Sequence, residues 1–128
     1  MKKIVYTEQA PEAIGPYSQG IICGNLIFTS GQIPLNPKTM EVVPGGIAEQ
    51  SRQVLLNLKA VLEKSGASIS SIVKTTCFLS DMENFAEFNK IYAEIIGGEL
   101  APARSCVEVA RLPKDVLVEV EAIAVIPD

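Results

Sequence analysis

The segment from Val116 to Ile126 constrains the fold more than any other part of the chain, because it is apolar on both of its alternating faces. Valine, alanine and isoleucine occupy every second position from Val116 to Ile126, and the other face carries Leu117, Ile123 and Val125. A strand that is apolar on both faces is normally covered on both faces. The segment is therefore predicted to lie inside a sheet that has cover on both sides.

Two helices are predicted to interrupt a series of strands. The first runs through residues 47–64, where apolar side chains recur at three- and four-residue spacing before Gly66. The second follows Ser80-Asp81-Met82-Glu83, which has a capping-box pattern, and ends at Gly97-Gly98. Apolar and β-branched runs predict strands at residues 2–7, 19–23, 26–30, 72–79, 104–109 and 116–126. The order is β-ββ-α-β-α-ββ, with Gly24-Asn25 as a hairpin turn.

These elements predict an α+β fold in which one mixed sheet carries both helices on one face. The chain has 128 residues, which suffice for one domain, residues 1–128, and leave no room for two. Because two helices can cover only one face of the sheet, another subunit is the simplest source of a second layer. A homo-oligomer is therefore predicted, although the pattern does not define its copy number.

Composition excludes several kinds of chemistry. The chain contains no histidine, which removes Ser-His-Asp and Cys-His catalysis and the usual general base near neutral pH. There is no GxGxxG motif, no P-loop and no acidic cluster with metal-ligand spacing, so no cofactor and no metal are expected. The net charge of −4 and the pI of about 4.9 make a nucleic acid or an anionic membrane an unfavourable main partner.

The N-terminus and the cysteines indicate a cytoplasmic protein. The apolar run after Lys2-Lys3 ends at Glu8, too early for a signal peptide, and no stretch approaches the roughly 20 apolar residues of a membrane span. Cys23, Cys77 and Cys106 form no CxxC pair. Cys23 and Cys77 are expected to be buried, reduced thiols.

Arg104 and Glu119 are the charged residues whose positions most need an explanation. Arg104 lies at the start of an apolar strand, where an arginine requires an anion, and its guanidinium matches a carboxylate bidentately. It is interpreted as an anchor for a substrate carboxylate or as a partner of Glu108, Glu119 or Glu121. Glu119 interrupts the apolar final strand, where it either positions a water molecule as a base or pairs with an arginine.

Three further features have both a functional and a structural interpretation. Tyr17 follows Gly15-Pro16, so its phenol either enters a cleft or lies on the surface. Thr29-Ser30-Gly31-Gln32 ends a strand, where hydroxyls and an amide N–H suit a ligand carboxylate or an ordinary turn. Asn89 lies among the apolar residues of the second helix, as a ligand contact or a loop cap.

The chain resembles the YjgF/RidA family over essentially its whole length. The resemblance is carried by runs that occur in the family's order and spacing: Ala13-Ile14-Gly15-Pro16-Tyr17-Ser18-Gln19, Phe28-Thr29-Ser30-Gly31-Gln32-Ile33-Pro34, Gln53-Val54-Leu55-Leu56-Asn57-Leu58, Pro102-Ala103-Arg104-Ser105-Cys106-Val107 and Val118-Glu119-Val120-Glu121-Ala122. One such run would be weak evidence, whereas all of them together are specific. Val120 is a conservative departure, because the pattern often has Ile or Met there.

This resemblance implies a chorismate-mutase-like fold and a homotrimer with a central barrel and clefts between subunits. It implies a deaminase that hydrolyses 2-imino acids, such as 2-iminobutanoate and 2-iminopropanoate, to 2-keto acids and ammonia. Arg104 would hold the substrate carboxylate and Glu119 would position the attacking water, with Tyr17 assigned to the catalytic group. Ser30, Gly31, Asn89 and Cys106 would line the same cleft. A regulatory protein that binds 2-keto acids and an RNA-directed ribonuclease or translation inhibitor are the alternatives.

Overall fold

The strands form one mixed sheet in the computed structural model, which describes all 128 residues. The sheet has six strands in the order β1-β2-β3-β6-β4-β5. Every neighbouring pair is antiparallel except β4 and β5, which are parallel. The strands are β1 (Lys2–Val5), β2 (Gly20–Cys23), β3 (Leu26–Thr29), β4 (Ile72–Leu79), β5 (Ala103–Glu108) and β6 (Val118–Val125). The apolar final strand thus lies in the sheet interior, as predicted.

Both helices, α1 (Ile47–Ser65) and α2 (Phe85–Ile96), pack on the same face of the sheet. Val118, Val120, Ala122 and Ala124 of β6 point toward them and join one apolar core with the buried stripes of both helices. The intervening residues of β6, from Glu119 to Val125, are only half-buried on the opposite face. The predicted one-sided cover is confirmed, and the second face of β6 has no cover within the chain.

Turn chemistry explains where the elements end. Gly24 takes a left-handed φ of 63° in the β2–β3 hairpin, and Cys23 pairs with Leu26 across it. Gly66 ends α1 in the left-handed conformation, and its N–H donates to carbonyls of the last helical turn. The predicted C-terminal ends of both helices and the predicted hairpin are confirmed to within a residue or two, and β6 begins two residues later than predicted.

The structure corrects the predicted start of the second helix. A 3₁₀ turn, Met82–Asn84, precedes α2, and its capping acceptor is Asp81, whose carboxylate accepts the Glu83 N–H at 2.9 Å. The predicted capping box of Ser80 and Glu83 is not formed, because the Ser80 N–H that the Glu83 carboxylate would accept donates to the Leu117 carbonyl instead. The predicted burial of Cys23 is also wrong, since this residue ends a strand beside the hairpin and is exposed, whereas Cys77 is buried as predicted.

No helix combines the length and the apolar character needed to cross a lipid bilayer.

Candidate functional site

Arg104, the second residue of β5, is held by α2. Its Nη1 donates to Oδ1 of Asn89 at 2.7 Å. Its guanidinium carbon lies 4.7 Å from the ring centroid of Tyr92 and 5.6 Å from that of Phe85. Phe85, Asn89 and Tyr92 follow one another at i, i+4 and i+7, so one stripe of α2 supplies all three contacts. We call Arg104, Asn89 and Cys106 the arginine half-site.

Arg104 has no carboxylate partner within the chain. The ion pairs are Arg52–Glu94, Lys59–Glu63 and Arg111–Asp115, all of them on the surface. The salt bridge from Arg104 to Glu108, Glu119 or Glu121, one of the two interpretations of the sequence, is therefore not formed. Glu108 instead accepts the Met82 N–H at 2.7 Å. A guanidinium with one neutral side-chain acceptor keeps most of its five N–H donors available to an incoming anion.

Cys106 lies two residues beyond Arg104 on the same face of β5 and directly opposite Cys77 of β4. Burial raises the pKa of Cys77 to about 12. Burial also raises the pKa of Cys106, although the positive charge of Arg104 opposes this shift. Because the thiolate is the nucleophilic form, a thiol whose pKa is raised is a poor nucleophile. Cys106 can thus contribute shape and backbone groups to a cleft rather than covalent chemistry.

A second group of predicted residues surrounds Glu119 on the face of the sheet that the helices leave uncovered. Gln32 and Val120 form a backbone bridge, with N···O distances of 2.8 and 3.1 Å, and this bridge places their neighbours Gly31 and Glu119 side by side. The contact is so close that a Cβ at Gly31 would lie 1.9 Å from Oε2 of Glu119. Burial, and then the negative charge of Glu121, raises the pKa of the Glu119 carboxyl.

Ser30 and Tyr17 lie beside this pair. The Ser30 hydroxyl donates to the Ser18 carbonyl, and the Ser30 N–H donates to the Gln19 carbonyl at 2.9 Å. The hydroxyl proton of Ser30 is thus already used to hold the loop that carries Tyr17. Tyr17 is 54% exposed and lines a small cleft together with Gly31 and Gln32. We call Glu119, Gly31, Ser30 and Tyr17 the glutamate half-site.

The two half-sites do not meet within one chain. Arg104 contacts α2, one of the two helices that cover one face of the sheet, whereas Glu119 alternates with Val118 and Val120 and therefore points to the other face. The predicted residues thus fall into two local groups separated by the sheet. A cleft that uses both groups needs the arginine half-site of one chain and the glutamate half-site of another.

Three residues around the arginine half-site are not identified as functional by the sequence alone. The sequence alone places Phe85 and Tyr92 on the apolar face of the second helix, and their i, i+4, i+7 spacing with Asn89 is the available signal for a shared role. Thr75 gave no signal, because its place next to Arg104 depends on the β4–β5 register. No three Cys, Asp or Glu side chains converge as metal ligands would.

The chain matches a family model described as Endoribonuclease L-PSP over residues 7–126. The Escherichia coli K12 protein named 2-iminobutanoate/2-iminopropanoate deaminase is 57% identical over 127 residues, covering 98% of this chain and 98% of that protein. Other relatives of similar identity have only a family name. One of them is the RutC family protein of Pyrococcus horikoshii, which is 56% identical and covers 97% of this chain and 98% of its own.

Two solved structures extend the similarity to the fold. The YjgF gene product of E. coli superposes with a TM-score of 0.88 at 54% identity, covering 96% of this chain and 98% of that one. TdcF of E. coli, crystallised with bound serine, superposes with a TM-score of 0.88 at 47% identity, covering the same shares of both chains. The likeness spans nearly the full length of each protein.

Proposed function

We propose that this protein is a deaminase acting on 2-imino acids. The chain belongs to the Endoribonuclease L-PSP family, also called YjgF/RidA, and has the chorismate-mutase-like α+β fold of that family. The reaction converts a 2-imino acid, such as 2-iminobutanoate or 2-iminopropanoate, and water into a 2-keto acid and ammonia. The observation that carries the proposal is an arginine that is held in place by neutral groups and has no carboxylate partner. The identity to a relative named for this activity supports it.

Arg104 is assigned the role of carboxylate anchor. Its planar fork of N–H donors matches a carboxylate bidentately, and only one of these donors is bonded within the chain. The contact with Asn89 turns the guanidinium without neutralising it. Asn89 and Cys106 then line the same half-site and limit the space around the bound acid.

Glu119 is assigned the role of the base that orients water. A water molecule held by its carboxylate attacks the iminium carbon and gives a proton to Glu119. That proton returns to the carbinolamine nitrogen, and the C–N bond breaks as the hydroxyl proton passes to Glu119 and ammonia leaves. The raised pKa suits this role, because a base works best when its pKa approaches the working pH. Orientation and electrostatic stabilisation can contribute several kcal/mol to such a step. No histidine is needed.

The separation of the half-sites supports clefts between subunits, and we propose the homotrimer that the family resemblance implies. The uncovered face of the sheet includes apolar side chains, such as Phe28 at 41% and Val107 at 43% exposure, which a second copy would bury. It also presents Glu119, which lacks an anchor for a substrate on its own face. Assembly would cover the apolar residues and bring Glu119 of one subunit to Arg104 of the next.

The direct test couples a threonine dehydratase, which releases the imino acid, to semicarbazide trapping. The assay uses conditions that imitate the cytoplasm, because we expect the protein to act there. The protein should lower semicarbazone formation, and Arg104→Ala should abolish this effect while the oligomer persists. Arg52→Ala removes an exposed arginine from a surface ion pair and is the matched control. If Arg104→Ala retains wild-type kcat/KM, the anchor role is wrong.

A complementation experiment tests the composite cleft. Arg104→Ala and Glu119→Ala chains are each expected to be inactive, but co-refolded mixtures regain clefts in which both residues are intact. Random mixing of equal amounts in a closed ring makes about a quarter of the clefts intact, so roughly a quarter of wild-type activity should return. Mixtures that stay inactive would place both residues in a single subunit's site or remove one of them from the reaction.

A 2-keto-acid-binding regulatory protein is the alternative that the same anchor could serve, and binding of 2-ketobutyrate without imine hydrolysis would favour it. An RNA-directed activity, which the family description names, has weaker support because the net charge is −4 and no histidine is present. RNA binding that falls steeply with salt concentration would revive it.

A further inference from the structure

We infer that Tyr92 and Thr75 are positioning residues that hold the Arg104 guanidinium in the orientation that binds a carboxylate. The inference rests on the proposed function and extends it to two residues that touch no substrate. They act through Arg104, which lies over the Tyr92 ring at 4.7 Å. We call the pair, together with the flanking ring of Phe85, the aromatic cradle.

The register of the sheet places Thr75 next to Arg104, and Tyr92 of α2 contacts both residues. Thr75 of β4 is the direct neighbour of Arg104 across the parallel β4–β5 ladder, and its side chain is fully buried. Its hydroxyl lies 2.7 Å from the hydroxyl of Tyr92, so the two buried hydroxyls satisfy each other. The strand that fixes the backbone of Arg104 therefore also fixes the ring beneath its guanidinium.

An aromatic cradle solves a problem that a carboxylate partner would create. A cation at a partly buried position needs a favourable contact, and a glutamate or aspartate would provide it but would compete with the substrate carboxylate. A ring face attracts the cation through its quadrupole and leaves the N–H edges of the guanidinium free. Asn89 accepts one of these N–H groups and sets the rotation of the fork.

The hydroxyl pair fixes the tilt of the tyrosine ring at this position. A buried hydroxyl that loses its partner is unfavourable, so the Thr75 contact gives the ring one preferred tilt. Phe88 packs against the same ring at 5.7 Å between centroids and supports it from within the helix. The chain therefore constrains the cradle from the strand and from the helix at once.

The test measures 2-ketobutyrate binding by calorimetry and imine hydrolysis by trapping in the full-length oligomer. Tyr92→Leu removes the ring and should weaken binding and raise KM by about 3- to 30-fold, the range expected for a cation–π contact. The kcat should stay within about threefold, because an anchor lost equally from ground and transition states acts on KM. Tyr92→Phe keeps the ring and should bind within about threefold of the wild-type protein.

The hydroxyl pair is tested by Thr75→Val, which leaves the tyrosine hydroxyl unpaired and should weaken binding. Adding Tyr92→Phe to Thr75→Val removes both hydroxyls and should restore it. Thr76→Val, on the same strand but facing away from the helices, is the matched control for the threonine. Ile91→Val, a buried change elsewhere on α2, is the control for lost stability and should lower the melting temperature without changing binding.

Equal 2-ketobutyrate binding by Tyr92→Leu and the wild-type protein would overturn the inference while leaving the proposed function intact. Tyr92→Phe that binds as poorly as Tyr92→Leu would also overturn it, because the aromatic ring would then not be what holds the Arg104 guanidinium. Wild-type binding that depends on Tyr92, without imine hydrolysis, would support the cradle and refute the deaminase. A wild-type protein that neither binds a 2-keto acid nor hydrolyses the imine would refute both.

Discussion

Replacing Gly31 with alanine is expected to lower kcat while leaving the free energy of unfolding nearly unchanged. The backbone of Gly31 lies outside the left-handed region, so this glycine is required for space and not for conformation. An alanine Cβ would lie 1.9 Å from Oε2 and 2.8 Å from Cδ of Glu119. Because uncharged contacts of this kind settle near roughly 3.5 Å, the carboxylate has to withdraw by about 1.5 Å.

The size of that withdrawal sets the expected effect on catalysis. A misplacement of about 1 Å can reduce a rate by roughly 100-fold, so kcat should fall by at least that factor, or about 2.7 kcal/mol in the barrier. Stability should change little, since the clashing atoms end a side chain that can rotate, and alanine restricts the unfolded chain by about 0.4–1 kcal/mol. The prediction is a folded, assembled and slow enzyme.

The assay compares kcat from imine trapping with the free energy of unfolding from urea titration. Gly46→Ala is the matched control, because Gly46 has a φ of −105° and a Cβ there would meet nothing within 4 Å. A Gly31→Ala protein with kcat within about threefold of the wild-type value would refute the reasoning, because Glu119 would then not work from its place beside Gly31. A variant that fails to assemble would instead show that the carboxylate cannot move.

Two further predictions concern charge and burial. Glu119→Gln should abolish hydrolysis yet stabilise the protein at neutral pH. The folded-state pKa of Glu119 is raised, so the wild-type protein loses stability as pH rises through that pKa. The advantage of the glutamine variant in urea titrations should therefore shrink toward acidic pH. A stability difference that does not change with pH would contradict this. Ser51→Ala should raise the free energy of unfolding by about 0.5–1.5 kcal/mol, because the Ser51 hydroxyl is fully buried in α1 without a hydrogen-bond partner. A lower melting temperature for this variant would show that the hydroxyl has a partner in the assembled protein.

The elements of the fold could be predicted because their signals are local. The alternation in β6, the spacing in α1 and the Gly24 turn each depend on residues that are close in sequence, and the structure confirms them. The cap of the 3₁₀ turn before α2 was assigned to Ser80 instead of Asp81 because the bond from Ser80 to Leu117 joins segments far apart in sequence. Local patterns cannot show such a bond.

The faces of different strands could not be related to one another from the sequence. Alternation places Arg104 and Cys106 on one face of β5, and separately places Glu119 opposite Val118 on β6. Whether these two faces coincide depends on the parallel β4–β5 register and the antiparallel β4–β6 register, which pair Thr75 with Arg104 and Phe78 with Glu119. The same dependence concealed Thr75, which becomes relevant only as the neighbour of Arg104.

The separation of Arg104 from Glu119 matches the charge distribution of the proposed substrate. A protonated 2-imino acid carries a carboxylate at one end and an iminium at the adjacent carbon, so it fits between a cation and an anion that do not neutralise each other. Within one chain the sheet keeps the two residues apart, and each retains its charge-binding capacity. The 2-keto acid product keeps the carboxylate but has no positive charge to attract Glu119. A cleft assembled from the two proposed half-sites would therefore bind the imine more tightly than the product, which favours product release.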